Sequence, residues 1–381
     1  MSPPAGTSPS TRSFVCLKDP GVTRAYLYTI LAVILWTVGP LGSKAALLAT
    51  GAGSGLRPLE VAFWAIAVGW VALLALLIAR NRLGLLGDIA ARGWLVLAAM
   101  GLFGWAGYPV AMNYAYMRLP LPDVMVISYL NPVFVTLLQG AAFGAVVRFV
   151  SGWERRPERV GERRLSIVVA GLALCLLGVA VIATQGRLSA LGGVKSVAGA
   201  AAALFAGFAW GVYSNLGRFV ALRPSRPGRQ MGDVHNFAAM TMGLAAMGAG
   251  LALSGRLENP SGYTAAVYLG AVGPARVSAW LIVAAMGLLN YGAGYTLWLD
   301  ALEEGTQVGE GHKLPPLTYG TLLLAVVGGW AVLHEPFGAG FWQGALLIAG
   351  GNALNMWGRL PGRRRVPAHE AAEEAEAPDV V

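Results

Sequence analysis

Just ahead of a proline pair, Glu310, His312 and Lys313 crowd into an otherwise apolar stretch that continues through Pro315-Pro316. A carboxylate, an imidazole and an ammonium at such a place could hold both ends of an amino-acid zwitterion. An imidazole titrates near neutrality, so His312 and Glu310 are also candidates to carry a coupling proton. The competing reading sets all three in the headgroup region beside a later helix start. Lys44 stands in another apolar run, 25–48, that holds no Asp or Glu. It is a further coupling candidate, or else its long stem snorkels to the membrane surface. Asn113, Asn131 and Asn290 are amides in apolar surroundings, and Trp36, Tyr108, Tyr129, Trp210, Tyr213 and Tyr291 are rings spaced along the same runs. With Tyr114, Tyr295 and Trp298 they could wall a route for aromatic or amphipathic molecules. Trp and Tyr also populate interfacial belts, and that reading stands beside the first.

The elements that must position these residues are membrane spans. The chain is 56% hydrophobic and only 12% charged, with a mean hydropathy of +0.59. An ordinary soluble domain carries about twice that charge. Its 52 glycines in 381 residues suit close helix contact in lipid. Apolar stretches long enough to cross a bilayer fall at 25–48, 59–79, 93–117, 124–147, 165–184, 197–220, 236–254, 277–302, 306–333 and 341–357, which makes ten spans. Of the 28 Lys and Arg, most lie in alternate loops on the same side as both ends, such as Arg80, Arg82, Arg155, Arg156, Arg226 and Arg363. The opposite side keeps Arg57, Arg118, Arg187, Lys195, Arg256 and Arg276. Basic residues are retained in the cytoplasm during insertion, so both termini are expected there. The +9 net charge is thus a topology signal, and no nucleic-acid partner is implied. Residues 1–24 and 359–381 read as disordered tails, 25–184 and 197–358 as two five-helix units, and 185–196 as the linker outside the cell. The 255–276 loop holds a short apolar piece that could lie on the membrane surface.

The two units resemble each other. Glu162 and Glu335 each stand nine positions before a glycine, Gly171 and Gly344, and each glycine has a second seven positions on, Gly178 and Gly351. Trp36-x-Val38 with Lys44 matches Trp210-x-Val212 with Arg218, and Tyr108 before Pro132 matches Tyr291 before Pro315. An odd number of crossings inverts the second copy. Prolines in mid-span free a backbone carbonyl, which is tolerated only against protein or a wet cavity. Broken spans at matching places in two halves point to a substrate path between inverted repeats, with Pro132, Pro315 and Pro316 at its breaks. The expected fold is therefore an all-α membrane protein of ten helices in two inverted five-helix repeats.

Other classes fit less well. His334-Glu335 begins a zinc-protease pattern, but the second histidine would be needed at Gly338. There is no phosphate loop, dinucleotide fingerprint, metal cluster or cysteine framework, so neither an enzyme nor a cofactor is expected.

The residues resemble the drug/metabolite transporter superfamily, in its ten-helix EamA type, across about 25–360. Leu35-Trp36, Asn113-Tyr114-Ala115-Tyr116, Tyr129-Leu130-Asn131-Pro132-Val133, Trp298-x-x-Ala301-Leu302 and His334-Glu335-Pro336 carry it. Phe341-Trp342-Gln343-Gly344-Ala345-Leu346 and Ala209-Trp210 are similar to the aromatic amino-acid exporter branch. The resemblance implies alternating-access export of small metabolites, amino acids foremost, across a bacterial inner membrane. A broader metabolite or nucleotide-precursor exporter of the same fold is the alternative. Small multidrug antiporters of the superfamily use a first-helix carboxylate that this chain lacks, which turns the expectation towards neutral, zwitterionic or anionic substrates. The arginine common early in the second helix is also missing here, where Trp64 is the bulky residue.

Overall fold

Proline opens the first helix. In the computed structural model, which describes residues 20–51, 55–138, 165–184, 186, 194–221, 231–255, 257–268, 274–307 and 314–357, α1 runs Pro20–Leu47. Five residues assigned above to the tail therefore belong to it. A proline at the first helical position gives up only an N–H that has no helical partner anyway. There follow α2 (Pro58–Ala79), α3 (Ala91–Tyr116), α4 (Leu121–Ser128), α5 (Asn131–Leu138), α6 (Leu165–Ala183), α7 (Val194–Ala221) and α8 (Gly232–Ser254). The last three are α9 (Ala279–Ala285, a π-helical Met286–Gly294, then Tyr295–Gln307), α10 (Tyr319–Leu333) and α11 (Phe341–Trp357). Among the described residues six helices, α1, α2, α3, α7, α8 and α9, are long and apolar enough to cross a membrane. Leu27, Ile34, Val71, Leu323, Trp330 and Leu346 are exposed on the outside of the bundle, a surface that suits lipid rather than water. The chain is a mostly helical, multi-pass membrane protein.

The packing crosses over between the two halves. α1 lies against α9 and α10, while α7 lies against α3, α4 and α5. α2 meets both α8 and α9, α3 meets α8, and α6 pairs with α11. The glycines matched between the two expected units sit on this last seam. A Cβ at Gly178 would fall 2.7 Å from the Gly344 carbonyl oxygen, and one at Gly344 would fall 2.6 Å from the Gly178 oxygen. Only glycine allows these backbones to meet.

The expected fourth and ninth spans are broken, and differently from a proline in mid-helix. α4 stops at Ser128, Tyr129-Leu130 form a turn, and α5 restarts at Asn131 with Pro132 as its second residue. In the ninth, Pro315-Pro316 begin a 3-10 turn, Pro315–Thr318, that leads into α10. In both places proline occupies a helix start, where its missing N–H removes no helical bond. Prolines lie inside two helices, Pro40 in α1 and Pro109 in α3, and Pro40 leaves the Trp36 carbonyl without its usual donor.

In the 255–276 loop, Tyr263–Tyr268 form β2, which pairs antiparallel with β3 (Pro274–Ser278) and with β1 (Thr50–Gly51), through Thr264 with Ser278 and Thr50 with Thr264. Residues two apart on a strand share a face, and Tyr263 and Ala265 are buried on one face of β2 while Ala266 is exposed on the other. At this end of the bundle, the sheet end, Glu60 is fully buried. It accepts from Arg57 N at 2.8 Å and Glu258 N at 3.2 Å, tying the start of α2 to the loop after α8. At the other end Arg82 meets Asp233 at 2.8 Å and Arg80 meets Asp300 at 3.2 Å.

Candidate functional site

Among the described residues, a connected set of aromatic rings lies between α1, α3, α7 and α9. Trp36 on α1 lies 5.3 Å from the Tyr295 ring and 5.5 Å from Trp298, both on α9. Trp105 on α3 lies 4.8 Å from Tyr295, 5.8 Å from Tyr291 and 6.3 Å from Tyr213 of α7. Trp210 joins Tyr213 at 5.3 Å and Tyr108 at 5.2 Å. The rings thus form one connected enclosure built from both halves of the chain.

Local helix geometry aims them. Trp105 belongs to the π-helical Gly101–Gly107 of α3, and Tyr291 to the π-helical Met286–Gly294 of α9. A π turn carries an extra residue and rotates the side chains beyond it, and such turns recur at functional sites. In α3 the π stretch comes immediately before Tyr108-Pro109. A proline ring would press on the carbonyl four residues earlier, and the wider turn relieves that crowding. In α9 the stretch is glycine-rich, with Gly287, Gly292 and Gly294.

The polar groups of the enclosure are biased towards donors. The indole N–H of Trp36, the indole N–H of Trp105 and the amide nitrogen of Asn236 are buried without a hydrogen-bond partner. The Asn236 oxygen is engaged, accepting from the Tyr213 hydroxyl at 2.9 Å. A buried donor left unmade costs about 1–3 kcal/mol. Three of them near one set of rings favour a molecule that brings acceptor oxygens together with apolar or aromatic surface. No carboxylate stands among the enclosure's described residues, so nothing there neutralises an organic cation.

Of the residues picked from sequence, Trp36, Tyr108, Trp210, Tyr213 and Tyr291 come together in this enclosure. Asn290 lies in the same π stretch, buried against Gly39 beside Pro40. Others do not join it. The Asn113 amide donates to the Pro58 carbonyl at 3.0 Å and pins α3 to the start of α2. Tyr129 donates to the Thr318 carbonyl at 3.2 Å and faces Tyr319, linking the two helix breaks, while the Asn352 amide donates to the Tyr129 carbonyl at 3.2 Å. Asn131 is half-buried at the start of α5. Lys44 does not snorkel. It is buried, with Nζ 3.1 Å from Glu335 and donating to the Tyr116 and Leu119 carbonyls at 2.6 and 3.1 Å. An ammonium with three partners at hand has no reason to reach for water. Glu310, His312 and Lys313 lie outside the described residues, and of Pro132, Pro315 and Pro316 the described part is the backbone.

Sequence reasoning passed over Trp105 and Asn236. Trp105 precedes Tyr108 by three positions and so shares its helix face, which was the available signal. Asn236 sits at the edge of an apolar run, where a polar residue attracts no notice.

Comparison with known proteins agrees with the fold. Residues 23–152 match the model of the EamA-like transporter family, a match that supports the drug/metabolite transporter superfamily and implies membrane transport of small molecules. No curated protein matches. Three solved chains do. One, described only as "Crystal structure of protein", aligns at 24% identity and a TM-score of 0.50 over 88% of this chain and 98% of its own.

Proposed function

We propose that this protein is a secondary transporter that exports small metabolites, chiefly amino acids with aromatic or amphipathic side chains, across a bacterial inner membrane. It works by alternating access between two inverted five-helix repeats, with both termini in the cytoplasm and the sheet end outside. The observation that carries this reading is the aromatic enclosure with its three unpaired donors, formed where α1 and α9 cross α3 and α7. The rings receive the substrate's side chain and the donors receive its carboxylate. The repeat reading is supported by reciprocal packing. The first helix of each half lies on the third helix of the other, and both third helices carry a π stretch at the corresponding level. An uptake route for organic cations is disfavoured by the absence of a carboxylate among the described residues there.

The test is counterflow in proteoliposomes loaded with unlabelled phenylalanine and offered labelled phenylalanine, alanine or tetraphenylphosphonium. Phenylalanine exchange well above alanine, with none for the cation, is the expected result. Exchange of the cation alone, or no exchange of any amino acid, overturns the reading. The aromatic preference should be on the order of tenfold, since a stacked ring contributes about 0.5–1.5 kcal/mol beyond its burial.

A further inference from the structure

At the sheet end a second buried acid lies close to the Lys44–Glu335 pair. Asp123, in the first turn of α4, is fully buried, and neither carboxyl oxygen has a hydrogen-bond partner. The segment between α10 and α11 closes over it. A Cβ added at Gly338 would fall 2.6 Å from Asp123 Oδ2, so only glycine lets the chain lie so near. The Gly338 amide is beside the carboxyl but does not meet hydrogen-bond geometry. The same segment brings Glu335, whose like charge reaches Asp123 and is itself committed to Lys44.

α1 supplies Lys44, which is engaged by Glu335 and the two carbonyls. α3 supplies Tyr116, whose hydroxyl donates to Met125 Sδ at 3.2 Å. The α10–α11 segment supplies Glu335 and the exposed His334. At this level α7, α10 and α11 add no charged side chain among the described residues. Among the described residues no cation pairs with Asp123, and the Gly338 amide is the donor that approaches its oxygens without completing a hydrogen bond. An ionised carboxylate so placed is strongly disfavoured against the neutral acid.

We propose that Asp123 is a proton-binding site that latches the sheet end shut. With a proton on the carboxyl, the 334–340 segment can rest on α4. When that segment lifts, water reaches Asp123, the proton leaves its oxygen for bulk water, and the anion is hydrated. Closing requires one proton to return. The latch joins α4 of the first half to the α10–α11 segment of the second, so each opening of this end is linked to one proton. Linkage then fixes the sign. Opening becomes easier as pH rises above the value of a hydrated aspartate, about 4, by up to about tenfold per pH unit, until the closed state also loses the proton.

The test reads opening directly and needs no substrate. The full chain, carrying Cys16→Ser and Cys175→Ala, is placed in lipid nanodiscs with Ile127→Cys, one helical turn beyond Asp123 on the same face and fully buried. Labelling by a small water-soluble maleimide is measured from about pH 5 upward and divided by the rate of an exposed reference, Ser261→Cys. The ratio should rise with pH. Asp123→Asn should hold it low and flat. Glu335→Gln, which removes the like charge that reaches Asp123, should make the rise level off at a lower pH. A flat ratio in the parent, an Asp123→Asn profile that tracks the parent, or an unmoved Glu335→Gln profile overturns the proposal. Hydrogen exchange of the 334–340 amides, corrected for intrinsic rate and compared between wild type and Asp123→Asn, carries the same test if the cysteine variants do not purify. Identical pH dependence in the two proteins would refute it.

Discussion

Replacing Lys44 by Met keeps most of the side chain's volume and removes its charge and its donors. Three partners are then stranded: Glu335, 3.1 Å from Nζ, and the carbonyls of Tyr116 and Leu119 at 2.6 and 3.1 Å. The Lys44 and Glu335 side chains are only 9% and 12% exposed, so water offers the abandoned carboxylate little relief. Removing one member of a buried pair costs about 3–5 kcal/mol, and Lys44→Met should fall in that range. Glu335→Gln keeps an acceptor for Lys44 and should cost less, about 1–3 kcal/mol. In the double variant no charge is left unpaired, so its cost should fall short of the sum by at least about 1 kcal/mol. A surface comparator fixes the scale: Arg24 meets Glu304 at 3.6 Å with 56% of its side chain exposed, and Arg24→Ala should cost under about 1 kcal/mol. Equilibrium unfolding in mixed micelles of increasing SDS fraction measures all four. The reasoning fails if Lys44→Met is no worse than Arg24→Ala, or if the two single costs simply add.

Trp210→Ala and Tyr291→Ala should lower exchange of phenylalanine more than that of alanine, by up to about tenfold; equal losses in the counterflow assay would assign these rings to packing. Trp105→Phe removes an unpaired donor while keeping a ring. It should weaken binding of phenylalanine more than of its uncharged amide, read from the concentration dependence of counterflow, and equal weakening would count against a carboxylate at that indole. In the expected ninth span, Lys313→Ala should damage transport far more than Arg223→Ala in a loop expected on the cytoplasmic side, and His312→Gln should remove a pH dependence centred at about 6.5. Wild-type flux or an unchanged profile returns those residues to the headgroup region.

Much of the architecture was legible because lipid imposes a length and a composition on every span. The helices α1, α2, α3, α7, α8 and α9 fall on runs read from hydropathy alone, with ends displaced by a few residues. The glycines at 178 and 344 were legible as a pattern, and their mutual contact explains why the pattern exists. The helix breaks were located but misdrawn. A proline in an apolar run reads as an interruption, yet Pro132 and Pro315 occupy helix starts, and the prolines inside helices, Pro40 and Pro109, escaped notice. The three-stranded sheet was missed because its two longer strands, β2 and β3, lie largely in a loop read as holding one short apolar piece, and β1, which joins them from far away in the sequence, has only two residues. A pairing that short carries no local periodicity.

The site was legible in kind more than in membership. Ring-rich faces could be seen on α1, α3, α7 and α9, but any one Trp or Tyr fits a belt as well as a wall. Deciding between them requires knowing which indole N–H lacks a partner, a property of the assembled bundle. Asp123 is the sharper case. An acid in the first turn of a helix is locally ordinary, since the helix dipole favours it there. Nothing within ten residues marks it as different. What changes its chemistry is the arrival of Gly338 from the far end of the chain, which excludes water, and of Glu335, which has already claimed Lys44. Sequence spacing records the helix that carries an ionisable group; whether that group can keep its charge is decided by what closes over it.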